Sequence, residues 1–69
     1  MPKYFWIKER DNLQLGTYFV AYGQISVKEA REKERSLYGF NYMHKFATNK
    51  EYEARIAELR AQGCEVIYA

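Results

Sequence analysis

The sequence predicts an α+β fold: a single small domain over 1–69, in ββαβαβ order, with a four-stranded mixed sheet and two helices on one face. Three observations predict it. Two β-forming stretches, Lys3 to Arg10 and Thr17 to Tyr22, are joined by a short turn-forming segment. Two capping boxes, Ser26-Val27-Lys28-Glu29 and Thr48-Asn49-Lys50-Glu51, each open a helical stretch that a glycine closes. A further β-forming stretch follows each helix.

The first strand is set by Tyr4, Phe5, Trp6 and Ile7, strong β-formers with apolar side chains on both faces, and it runs out through the charged Lys8-Glu9-Arg10-Asp11. Asp11 and Asn12 favour side-chain-stabilised turns, and Gly16 tolerates positive φ. The second strand covers Thr17 to Tyr22 and ends near Gly23, and the short connection implies an antiparallel hairpin.

The Ser26 box, with Ile25 as a staple toward Ala30, opens a helix to about Tyr38 with its stop at Gly39. Its apolar face is narrow: Val27, Ala30, Leu37 and Tyr38, with Glu34 where another apolar residue is wanted. Glu29 and Lys33 form a supportive i, i+4 pair, while Arg31 and Arg35 repel. The third strand is Tyr42 to Phe46. The helix from Thr48 to Gly63 is the best-specified element. Tyr52, Ile56 and Leu59 form one stripe, Glu51 and Arg55 an i, i+4 pair, and Gly63 fits a left-handed C-terminal position. Cys64 to Tyr68 closes the sheet. Both crossovers are taken to run the same way, which puts both helices on one face and leaves the other uncovered.

Composition narrows the function. A chain of 69 residues buries roughly 60% of the surface its unfolded form exposes, so the core is thin. Seven tyrosines carry area that is apolar in the ring and polar at the hydroxyl, suited to half-exposed positions. A net charge of +2 permits an anionic partner without demanding one. The single cysteine excludes an intramolecular disulfide, and no apolar run reaches membrane-spanning length. The opening residues lack the form of a signal peptide. The expectation is a soluble, cytoplasmic protein with no membrane partner.

Candidate chemistry is sparse. His44 is the only histidine and reads as a structural or surface residue. Cys64 follows a helix C-terminus, which disfavours a thiolate, so it reads as a packed small residue. One His and one Cys make no zinc site, and the four glycines have no phosphate-cradling spacing. No catalytic residue, metal or cofactor is expected. In the register favoured here, Phe5, Ile7, Phe19, Phe46 and either Val66 or Ile67 face the helices. The open face then shows Tyr4 and Trp6, with one of Tyr18 or Tyr22, beside Lys8 and Arg10. Tyr4, Trp6, Lys8, Arg10 and Tyr22 are the expected partner-binding residues. The expected function is non-enzymatic binding of a protein or nucleoprotein partner. Pairing of two copies through the open face, as a homodimer, is a second use of it. Stacking of single-stranded nucleic acid is a third, although no RNP-type motif is present.

Two resemblances bear on this. Pro2, followed by a strand and with Arg10 downstream, looks like the tautomerase family, whose small subunits use an N-terminal proline as base. That resemblance implies an enzyme once Met1 is removed, but a second strand stands where the family places a helix. The opening Tyr4-Phe5-Trp6-Ile7-Lys8-Glu9-Arg10-Asp11-Asn12 resembles that of small phage-encoded inhibitors, including anti-CRISPR proteins. This second resemblance implies a stoichiometric blocker of a host defence complex.

Overall fold

The computed structural model describes residues 2–12, 16–35 and 40–69, and of residues 12, 40 and 41 the backbone alone. The elements are β1 (Lys3–Asn12), β2 (Gly16–Ser26), α1 (Val27–Glu34), β3 (Phe40–Phe46), α2 (Asn49–Ala61) and β4 (Glu65–Tyr68). The ββαβαβ order and the four-stranded mixed sheet are those the sequence predicts. β1 and β2 extend past the predicted hairpin, and β2 continues through Gly23 to Ser26. The ladder slips there: Trp6 pairs with Tyr22 but Phe5 pairs with Gln24, leaving Gly23 as the extra residue. The slip sets Tyr22 and Ile25 on the same face as Trp6 and Tyr4. α1 ends at Glu34, short of the predicted Tyr38, and the predicted stop at Gly39 lies outside the described residues.

The strand order is β3-β1-β2-β4, with β1 antiparallel to β2 and β3, and β4 parallel to β2. The order corrects one expectation, that both helices lie on one face. From β2 the chain crosses β1 to reach β3, and from β3 it returns across the whole sheet to β4. The two crossovers therefore run in opposite directions. Right-handed connections that run in opposite directions place their helices on opposite faces. Contacts agree. α2 packs on Ile7, Phe19 and Ala21, whereas α1 lies over Lys8 and Tyr22, whose side chains point the other way along the strands.

The α2 face holds the core. Ile7, Phe19, Ala21, Tyr52, Ile56 and Leu59 form one buried cluster, with Phe5, Phe46, Cys64 and Val66 packed against it. The predicted stripe of α2 is thus the buried one. Tyr52 anchors it between Phe5, centroids 5.1 Å apart, and Phe46, at 6.4 Å and steeply inclined. Both ends of α2 are fixed locally. The Thr48 hydroxyl accepts the Glu51 N–H at 3.3 Å. At the other end Gly63 has φ +82°, its N–H reaches the Arg60 carbonyl, and the Cys64 N–H reaches Leu59. That is the Schellman pattern, with half-buried Cys64 folding back toward the Leu59 turn. Arg55 pairs with Glu58 at 2.9 Å, and not with the predicted Glu51.

The α1 face is covered differently. α1 packs over β1, β2 and β3 but buries only Ala30 of its own residues. Beneath it lie Trp6, 7% exposed, and Lys8, 6% exposed. The Trp6 indole N–H donates to the Ile25 carbonyl at 3.1 Å. The Lys8 ammonium donates to the Lys33 carbonyl at 2.6 Å, satisfying an acceptor in the last turn of α1. At the other end Ser26 accepts the Glu29 N–H at 3.2 Å.

Candidate binding surface on the α1 face

All five residues that the sequence singles out, Tyr4, Trp6, Lys8, Arg10 and Tyr22, stand on the α1 face, as strand alternation and the β1–β2 register require. They are not equally accessible. Because α1 covers this face, Trp6 and Lys8 sit between sheet and helix, where a partner does not reach them. Burial pushes the Lys8 ammonium below its ordinary value of 10.5; Arg10 and Lys33 add to the push, and Glu34 opposes it. Lys8 is a support of the helix, not a surface cation.

Tyr4, Arg10 and Tyr22 are partly exposed. Each takes part in a cation–ring contact. Lys45 Nζ lies 4.7 Å from the Tyr4 centroid, Arg10 Cζ 5.9 Å from that of Tyr18, and Lys33 Nζ 5.5 Å from that of Tyr22. Tyr4 also meets Trp6 edge-on at 6.4 Å. Burial raises the Tyr22 hydroxyl above 10.0; Tyr18 adds to this and Arg10 opposes it. Arg10–Tyr18 and Lys33–Tyr22 are therefore two cation–ring pairs on one face of β2, four residues apart.

β2 alternation continues this face. Tyr18, Val20 and Tyr22 share the face, and the parallel register sets Val20 beside Ile67 of β4. Ile67 is 43% exposed. The result is an apolar centre, Val20 and Ile67, edged by two tyrosines and two cations. Sequence reasoning missed Val20, Ile67 and Lys33. The first two follow only once β4 is known to pair with β2, and Lys33 only once α1 is known to lie over Tyr22.

Charge separates by face. On the strands, the α1 face carries Lys8, Arg10 and Lys45 against Glu65 alone, whereas the α2 face carries Lys3 against Glu9 and Asp11. The contacts between basic and carboxylate side chains among the described residues are His44–Glu9, at 3.4 Å on the α2 face, and the Arg55–Glu58 ion pair on α2 itself. No cation of the α1 face has a carboxylate partner among them. His44 is a surface residue beside Glu9, Cys64 a packed one, and Pro2 is exposed ahead of β1. Among the described residues, no three His, Cys, Asp or Glu side chains are grouped so as to hold a metal ion, and no helix is long and apolar enough to cross a membrane. Comparison with protein-family models, with curated proteins and with solved structures finds no match.

Proposed function

We propose that this protein is a small non-enzymatic binding module that engages a protein or nucleoprotein partner through the uncovered part of its α1 face. The observation that carries this reading is the two cation–ring pairs on one face, Arg10 on Tyr18 and Lys33 on Tyr22, beside exposed Ile67. Tyrosine and arginine around an apolar centre is the composition of binding hot spots. Tyr4 and Lys45 extend the same face. Beneath it Lys8 supports the last turn of α1, and Trp6 is bonded to the end of β2 that leads into the helix. The resemblance of the opening stretch to phage-encoded inhibitors supports a stoichiometric blocker of a host defence complex as the form this binding takes.

The test is capture from a bacterial lysate treated with nuclease. The parent protein is expected to retain a partner that the double variant Arg10→Glu, Lys33→Glu loses and the α2 variant Lys50→Glu keeps. Equal capture by all three contradicts the reading, and loss of every captured species on nuclease treatment replaces it with binding to nucleic acid or to a partner held only through it.

A further inference from the structure

We infer that the α1-face surface takes an acidic protein segment carrying apolar side chains, with Arg10 and Lys33 receiving its carboxylates and Val20 and Ile67 its apolar groups. This rests on the binding reading above and adds the partner's chemistry. Three observations carry it.

The first is charge complementarity. The cations of this face have no carboxylate partner among the described residues, and the eight residues outside that description include no Asp or Glu. Arg10, Lys33 and Lys45 rest on tyrosine rings instead. A ring contact orients a cation while leaving N–H donors for an incoming anion. The second observation concerns the rings themselves. A base-stacking platform needs open ring faces, yet Tyr4, Tyr18 and Tyr22 each carry a cation. The third is the apolar centre. Exposed Ile67 beside Val20 offers an aliphatic contact that a phosphate backbone does not use and an aliphatic side chain does. Together they favour an acidic peptide over a nucleic acid.

Fluorescence anisotropy with three labelled probes of equal charge tests this: a glutamate-rich peptide containing leucines, an all-glutamate peptide, and a thymidine oligonucleotide. The leucine-containing peptide is expected to bind tightest, more weakly at higher salt. Arg10→Glu with Lys33→Glu weakens it about tenfold or more, since two exposed charge contacts are each reversed. Arg10→Gln with Lys33→Gln, which introduces no new charge, weakens it several-fold. Ile67→Ser weakens it while leaving the all-glutamate peptide unaffected. Lys50→Glu changes it by less than about twofold. Circular dichroism of each variant separates lost binding from lost folding. Tighter binding of the oligonucleotide overturns the inference in favour of nucleic acid. Equal binding of the two peptides overturns the apolar half of it. If no probe binds while the lysate partner is still lost in the charge-reversed variant, the acidic-segment inference falls and the binding reading stands. If neither responds, both fall.

Discussion

The two faces of this sheet are built on different physics. The α2 face is closed by a helix of 13 residues that buries Tyr52, Ile56 and Leu59 against Ile7, Phe19 and Ala21. The α1 face is closed by a helix of 8 residues that buries Ala30 and is held at its last turn by a lysine from the sheet. One layer is apolar and self-sufficient. The other is thin, cationic and incomplete. A domain this small has apolar side chains for one proper core, so stability concentrates on one face and the other is left to make contacts.

The largest effect should come from the apolar face. Leu59→Ala removes a fully buried side chain and leaves a cavity, and should cost about 2–5 kcal/mol in urea unfolding. A loss well under 1 kcal/mol would mean that the core is not where this comparison puts it. On the other face, Lys8→Ala should cost about 1–3 kcal/mol, because the Lys33 carbonyl loses its buried donor. Hydrogen exchange should show that loss concentrated in α1. Lys8→Met, which keeps the stem but not the donor, separates the two contributions, and matching results for Met and Ala would assign the whole effect to the hydrogen bond.

The helix ends sharpen the contrast. Gly63→Ala places a Cβ in a left-handed conformation where no atom lies within 4 Å, so its cost of about 1–2 kcal/mol is a backbone cost. Thr48→Ala should lower global stability by about 1 kcal/mol. The equivalent change Ser26→Ala should speed exchange in α1 with a smaller global effect, since α1 contributes less to the core. Equal global losses from the two caps would erase the distinction.

The smallest effect is alkaline. Burial holds the Tyr52 hydroxyl above the ordinary 10.0, with Tyr68 and Glu53 adding to the shift. The neutral phenol is favoured in the fold, so this contribution is complete below pH 10.0 and is lost as pH rises through the folded value. Tyr22 behaves likewise. Lys8 runs the other way: its value is lowered from 10.5, so its contribution rises with pH across the window below 10.5. Tyr52→Phe should move the alkaline unfolding limb to higher pH, and an unmoved limb would show that the buried phenol does not drive it.

Much of this was legible in the sequence where the signal is local. The Thr48 and Ser26 caps, the Tyr52-Ile56-Leu59 stripe and the Gly63 stop are each decided by residues within a few positions of one another. So is the division of Phe5, Ile7 and Phe19 from Tyr4 and Trp6, since strand alternation fixes it. The strand order was not legible. Nothing near β3 or β4 says which edge of the hairpin each one joins, and that choice decides whether α1 falls on the face of α2 or opposite it. For that reason Trp6 and Lys8, expected at an open surface, lie beneath a helix. Lys33 read as a partner for Glu29, because its contacts with Tyr22 and Lys8 cross between elements distant in the chain.

The placement of α1 is the central claim, and the single tryptophan reports on it. Acrylamide quenching of Trp6 fluorescence is the most direct test. With α1 on the face opposite α2, Trp6 is covered and its indole N–H is bonded to Ile25. Emission should then be blue-shifted and quenching weak, and both should move toward the values of free tryptophan in Lys8→Ala. Solvent-like emission with free quenching in the parent protein would mean that the Trp6 face is open, and would contradict the account.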